Sequence, residues 1–419
     1  MSHGLVIVGG SYAGVQIAAS ARDAGYAGRI RLVSAEKTAP YHRPPLSKAY
    51  LLGKTERESL SLRGAAFYEQ ERVELILETP IHGADRAGRT LTTAKGEVLH
   101  FDQLALATGA RARALPATPD NVLTLRDIAD ADALREAARS ATSVVVIGGG
   151  YIGLEAAASL TQLGKRVTVV EMQDRLLARA ATPVLAGFVA DAHRARGVAL
   201  ILNARGFEFD HDHGVLTGVR VREGEGPERA IAADIAIVGI GVVPNVELAM
   251  MLGLKVEDGI VVDARARCLD STTGEALADF VAAGDVTRHP SRWAPNAAPT
   301  LRLESVQNAT DQARVTGATL AGTTGAYDAV PWFWSDQFDL KLQMVGLPGV
   351  PDRTVPRGDM AANRFSLFHF RAGKLVGVDS VNRPADHMLA RRLLASGTTL
   401  TPEQAQDATF DLKSAMVSA

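Results

Sequence analysis

A single cysteine, Cys268, stands in 419 residues. No intramolecular disulfide can form, and no Cys/His cluster has the spacing that holds zinc or an iron–sulfur centre. The expected setting is a reducing, cytoplasmic one. An excess of one charge is also missing: 45 basic against 47 acidic residues leave a formal net charge of −2. That gives no global pull toward nucleic acid, although a local basic docking patch is compatible with it. No apolar run suits a bilayer, since the longest, residues 231–243, contains Asp234 and falls short of the about 20 residues a span needs. Met1 to Gly4 lead straight into apolar Leu5 to Val8, with no basic segment or small-residue cleavage site, so no signal peptide is expected. What is present is ordinary globular material, 47% hydrophobic and 22% charged, enough for two or three domains with cores.

The organising feature is a repeat. Val6 to Gly14 and Val144 to Gly153 each run from a β-branched stretch through glycines into an alanine-rich helical pattern. A second strand then ends in an acid, Glu36 after Ile30 to Val33 and Glu171 after Val167 to Val170. Asp102 to Gly109 and Asp234 to Gly241 share their Asp-to-Gly spacing, which extends the duplication. Phe280 to Asp285 reads as a further buried strand of the first copy, ending at a Gly-Asp turn, so the second copy is inserted in the first. From about residue 326 aromatics concentrate, in Pro331 to Phe338. Phe365 to Phe370 and Leu375 to Val381 form a hairpin around Gly373, followed by a helix near Ala385 to Ala395. The expected fold is α/β: two Rossmann-like dinucleotide-binding domains, the second inserted in the first, plus a C-terminal α+β domain. The boundaries are 1–113 with 246–325, 114–245, and 326–419.

Glycines at such a turn let backbone N–H groups and the positive helix N-terminus approach a diphosphate directly. Gly148, Gly150 and Gly153 have the full spacing; in the first copy Ser11 replaces the middle glycine and crowds that approach. Read alone, either motif also fits a tight structural turn; the paired acids and the duplication favour nucleotide binding. Glu171 can hold both ribose hydroxyls of an adenosine and would repel a 2′-phosphate. No arginine follows until Arg175, so NADH is favoured over NADPH. Two dinucleotide sites without a catalytic cysteine, metal cluster or nucleophile motif point to one resident flavin and one exchangeable nicotinamide.

At this point the chain resembles the ferredoxin reductases of bacterial oxygenase systems, the putidaredoxin reductase-like family of the glutathione-reductase fold. The resemblance covers nearly the whole chain. It lies in Tyr41 to Lys48 (YHRPPLSK), Ala107-Thr108-Gly109, Gly148 to Glu155 (GGGYIGLE), Gly239 to Asn245 (GIGVVPN), Ala283-Gly284-Asp285, Glu304 to Asn308 (ESVQN) and Pro331 to Gln337 (PWFWSDQ). It implies tightly bound FAD, with Gly9, Ser11, Ala13, Gly14 and Glu36 at its AMP half and Ala107, Thr108, Gly109 and Arg126 beside it. Arg43 and Lys48 would lie along the flavin, Gly284 and Asp285 at the ribitol chain, and Ser305 and Val306 at the start of a helix facing the flavin. The NAD set would be Gly148, Gly149, Gly150, Tyr151, Ile152, Gly153, Glu155, Glu171, Gly239, Ile240 and Gly241. Lys48 and Glu155 are expected to pair on the nicotinamide side, because a buried lysine without a counter-charge would lose its proton. Disulfide reductases of this fold need a cysteine pair beside the flavin, and its NADH oxidases or coenzyme A-disulfide reductases need one cysteine where this chain reads Pro44 to Lys48, so thiol chemistry is disfavoured.

The implied reaction moves a hydride from NADH to FAD, then single electrons to a [2Fe-2S] ferredoxin that feeds a cytochrome P450 or a ring-hydroxylating dioxygenase. Trp332 and Trp334 either line the electron exit or pack the C-terminal core, Trp334 being the better candidate for the exit. Arg288, Arg292, Arg302 and Arg314 are candidates for a basic rim toward an acidic ferredoxin, or are simply solvated. Rubredoxin reductase or monodehydroascorbate reductase activity remains open on the same fold. So does an NAD-sensing interaction role like that of apoptosis-inducing factor. No membrane or nucleic-acid partner is expected.

Overall fold

In a computed structural model, residues 3–294, 299–323, 325–397 and 400–416 are described. The chain divides into two compact units: Met1–His42, Ser61–Arg111 and Val243–Phe333 make the first, and Arg43–Leu60, Ala112–Val242 and Trp334–Ala419 the second.

The first unit is built on a six-stranded sheet in the order Arg267–Leu269, Ala276–Ala282, Gln103–Leu106, Leu5–Val8, Ile30–Val33, Val73–Ile76. Strand Leu5–Val8 lies parallel to both neighbours, with Leu5 opposite Ile30 and Gln103. Alternate residues of these strands feed opposite faces. Leu5, Ile7, Ile30 and Leu32 pack with the helices Tyr12–Asp23 and Val306–Leu320, while Val6, Val8, Val33 and Leu106 pack with Leu252, Ile260 and Phe280. Both faces being covered explains why the strands read as unbroken apolar runs rather than alternating ones. Cys268 is fully buried in the second of these clusters, and burial pushes its thiol well up, away from the reactive thiolate form.

The second unit repeats the plan with a parallel sheet in the order Ala199–Ile201, Arg166–Val170, Ser143–Ile147, Ile235–Val238, Val122–Leu123. The C-terminal stretch forms a separate five-stranded sheet in the order Trp332–Gln337, Leu340–Gly346, Lys374–Val381, Arg364–Arg371, Arg353–Asp359. Helix Pro384–Ser396 packs on it. Segment Arg43–Leu60 lies inside the first domain by the sequence boundaries but packs in the second unit. The reason is polar. Tyr50 and Arg57 bond Asp132, and the Ser159 hydroxyl donates to the Ser47 carbonyl. Among the described residues no helix is long and apolar enough to cross a membrane.

The duplicated aspartates have a structural task. Asp102 Oδ2 accepts from Gly4 N at 2.7 Å, and Asp234 Oδ2 accepts from Thr142 N at 2.7 Å and Ser143 N at 2.8 Å. Each ties the residues that open the strand leading into its unit's glycine motif. The N–H groups of Ser143 and Thr142 hold the Asp234 carboxyl below its ordinary range. Its stabilisation is therefore present above the unfolded value of about 3.9 and is lost as pH falls through the lower folded one. Asp234→Asn is expected to cost about 1 kcal/mol at neutral pH, solvent screening included. The difference should shrink toward pH about 3, as urea unfolding at the two pH values would register.

Candidate functional site

In the first unit, the chain leaves strand Leu5–Val8 through Gly9, whose φ is +122°, and enters helix Tyr12–Asp23 with Ser11 at the N-cap. A Cβ on Gly9 would lie 2.0 Å from the Ala107 carbonyl oxygen, and one on Gly14 would lie 1.9 Å from the Gly9 carbonyl oxygen. Ser11 is extended, with φ −138°, so the missing middle glycine costs no backbone strain. Ala13 is buried beneath Gly284.

Glu36, half-buried past strand Ile30–Val33, accepts from Tyr41 Oη at 2.6 Å. Thr108 and Gly109 are clamped by Asn245. The Thr108 hydroxyl donates to Asn245 O at 2.7 Å, Asn245 Nδ2 donates to Thr108 O at 2.8 Å, and Asn245 N donates to Gly109 O at 2.9 Å. Gly284 has φ +86°, and its N–H donates to buried Gln312 Oε1 at 2.9 Å, which holds the Gly284-Asp285 turn from below. Ser305 caps helix Val306–Leu320 by accepting from Asn308 N at 3.0 Å. Asn245 and Gln312 were missed from sequence; Asn245 at least ends a quoted motif, whereas Gln312 had no signal.

The second unit repeats the turn. Gly148 has φ +107°, a Cβ on it would lie 2.4 Å from Gly239 O, and one on Gly153 would lie 2.4 Å from Gly148 O. Gly150, the N-cap of helix Tyr151–Gln162, faces open space on its Cβ side, and Ile152 is exposed on the first turn. Glu171 Oε2 accepts from Gly149 N at 2.7 Å and Oε1 from Gln173 N at 2.8 Å, so the carboxylate is fixed beside the glycine turn. Gly239, Ile240 and Gly241 follow strand Ile235–Val238, with Gly239 N bonded to Ile147 O at 2.8 Å. Both turns fit the diphosphate of a dinucleotide. Glycine is required where backbone meets backbone, and the helix N-terminal N–H groups stay without a side-chain cap.

One turn into that helix, Glu155 is 2% exposed and pairs with Lys48 at 2.7 Å. Two further donors hold the carboxylate, Ser47 Oγ at 2.5 Å on Oε2 and Ser335 Oγ at 2.6 Å on Oε1. Lys48 also donates to Pro44 O at 3.1 Å. Burial pushes the Glu155 carboxyl above its ordinary range, against the pull of Lys48 and then of the two serines. Ser47 and Ser335 were not singled out from sequence, although each adjoins a residue that was.

Ser335 and Gln337 occupy the buried side of strand Trp332–Gln337, and Trp334, the residue before Ser335, points to the other face and is half-buried. Arg43 Nη1 donates to Arg126 O at 3.0 Å, which brings those two together in the second unit with Lys48 and Trp334. The remaining predicted FAD residues lie in the first unit. The four arginines of the supposed basic rim each have an acidic partner. Arg288 pairs with Asp258, Arg292 with Asp328, Arg302 with Glu304 and Arg314 with Asp311. The expected surplus of positive charge at these positions is therefore largely cancelled.

Two glycine-turn units with paired strand-end acids and no cysteine pair define an oxidoreductase that uses bound dinucleotides rather than a disulfide. The family model for pyridine nucleotide-disulphide oxidoreductases matches residues 3–313, and that for the reductase C-terminal domain matches residues 332–416. Rhodocoxin reductase of Rhodococcus erythropolis is 44% identical over 98% of this chain and 94% of its own length. Putidaredoxin reductase of Pseudomonas putida is 36% identical over 99% and 97%. Among solved structures, the ferredoxin reductase for the CYP199A2 system from Rhodopseudomonas palustris superimposes with a TM-score of 0.92 at 41% identity, covering 99% of this chain and 100% of that one. The chain belongs to the pyridine nucleotide-disulphide oxidoreductase family, among its putidaredoxin reductase-like ferredoxin reductases.

Proposed function

We propose that the protein oxidises NADH and passes the electrons one at a time to a [2Fe-2S] ferredoxin serving an oxygenase, through resident FAD. The carrying observation is the Lys48–Glu155 pair, buried beside the second glycine turn and held by two serines. When bound, FAD supplies hydride acceptance from a nicotinamide and release of single electrons. Gly9, Ser11, Ala13, Gly14, Glu36, Ala107, Thr108, Gly109, Gly284, Asp285, Ser305 and Val306 would hold it. The capped helix at Ser305 presents a positive N-terminus suited to negative charge. For Arg43, Lys48, Arg126 and Trp334 the FAD assignment rests on the family resemblance.

Gly148 to Gly153 would bind the NAD diphosphate, Glu171 the ribose, and Glu155 the carboxamide N–H. Lys48 draws Glu155 toward its ionised form against the effect of burial, and Trp334 is assigned to the electron exit. NADH is preferred because Glu171 stands fixed at the turn and Arg175 is engaged by Asp174 and the Ala178 carbonyl, so a 2′-phosphate meets negative charge without relief. Cytoplasmic residence accords with the one buried thiol.

The test is steady-state reduction of a purified ferredoxin and a rubredoxin with either nucleotide. The expected kcat/KM for NADH exceeds that for NADPH by about a hundredfold, and Glu171→Ala narrows the ratio. Equal use of both nucleotides would refute the cofactor assignment, and turnover with rubredoxin alone the acceptor.

A further inference from the structure

Glu155 is the inner end of a buried hydrogen-bond chain that ends on His193, a residue outside every motif of the sequence. Ser335 Oγ receives Gln337 Nε2 at 3.0 Å, and Gln337 Oε1 lies 2.8 Å from His193 Nε2. His193, Gln337 and Ser335 are each fully buried. The direction of the chain follows from its charged end. A carboxylate paired with Lys48 only accepts, so the Ser335 hydroxyl must donate to it and its oxygen must accept in turn. Gln337 therefore presents its NH2 to Ser335 and its carbonyl to His193, which must donate from Nε2. The far end agrees: His193 Nδ1, buried, has no hydrogen-bond partner among the described residues, and a bare lone pair there costs less than an orphaned N–H. Burial also draws His193 below its ordinary range, in keeping with a neutral ring.

We propose that His193 is a positioning residue for Glu155, its Nε2–H fixing, through Gln337 and Ser335, the hydroxyl that orients the Glu155 carboxylate. With the proton on Nδ1 the Gln337 amide would reverse, Ser335 would donate to it instead, and Glu155 Oε1 would lose the Ser335 donor. The inference rests on the nicotinamide-side reading of Glu155.

Two measurements test it. In 15N NMR of histidine-labelled protein, with the His193 signal assigned by its loss in His193→Gln, the ring is expected as the neutral Nε2–H tautomer. The Nδ1–H tautomer or a charged ring overturns the proposal. In single-turnover reduction of the flavin by NADH, His193→Phe keeps an aromatic ring against Phe338 but lacks the donor. It should lower the limiting rate about tenfold with little change in half-saturation. His193→Gln, whose amide N–H can reach the same acceptor, should recover most of the rate.

A wild-type rate in His193→Phe, or an equal loss in His193→Gln, overturns the proposal. Should His193→Phe not fold, Ser335→Ala takes its place, with the same loss expected and a wild-type rate again decisive against it. Glu155→Gln run alongside separates the two levels. If it reduces as fast as wild type, the reading of Glu155 falls and the inference with it; if it is slow while the His193 variants are unaffected, the inference alone falls.

Discussion

Glu155→Gln is expected to slow reduction of the bound flavin by NADH about a hundredfold while FAD stays bound. Among the described residues the three partners of the Glu155 carboxylate are all donors: Lys48, Ser47 and Ser335. An amide has one accepting oxygen, so its NH2 must face a donor or turn away, and the orientation that would receive a carboxamide N–H is lost. Lys48, 17% exposed, also loses its counter-charge. Folding stability should change far less than the rate. A neutral side chain at a site 2% exposed avoids the desolvation that raises the glutamate carboxyl, which offsets part of the lost pairing. Stopped-flow traces at saturating NADH, with flavin absorbance as the measure of FAD retained, check both statements. A wild-type limiting rate would remove Glu155 from the nicotinamide side.

Gly14→Ala should yield protein without flavin. The added carbon would sit 1.9 Å from the Gly9 carbonyl oxygen and 3.0 Å from Leu32 Cδ1. The first contact is with backbone, so helix Tyr12–Asp23 must move off the turn rather than a side chain swing aside. The displaced helix carries its N-terminal N–H groups away from the diphosphate position. Loss of stability of about 3–5 kcal/mol accompanies it. Gly64→Ala, where no atom lies within 4 Å of the added carbon, should keep its colour. Gly153→Ala makes the equivalent clash in the second unit, 2.4 Å from Gly148 O, and should abolish reduction by NADH while FAD remains. A yellow, NADH-reducible Gly14→Ala protein would refute the assignment of the first turn.

Much of the framework was legible because its signals are local. The strands Leu5–Val8 and Ile30–Val33, the hairpin at Gly373 and the helix Pro384–Ser396 follow from runs, turn residues and periodicity within a few positions. The equal Asp-to-Gly spacing of 102–109 and 234–241 was visible as a pattern, but its meaning was not. Each aspartate secures the opening of the neighbouring strand in its sheet, a neighbour remote in sequence, Gly4 lying 98 residues from Asp102 and Thr142 92 residues from Asp234. Arg43–Leu60 shows the limit most directly. Nothing in its composition separates it from the first domain, yet its bonds to Asp132, Glu155 and Ser159 carry it into the second unit.

By itself the sequence determined that two dinucleotide-binding units are present, that thiol and metal chemistry are poorly served, and that Lys48 and Glu155 deserve to be read together. Those conclusions rest on residue type and short spacing, which the chain states outright. The tertiary structure alone decided what surrounds Glu155. Ser47 lies 108 residues away and Ser335 180, with His193 reaching Gln337 across 144 more. A buried carboxylate must collect donors wherever folding brings them, and serine, glutamine and histidine are too common for their sequence positions to reveal which ones it has met.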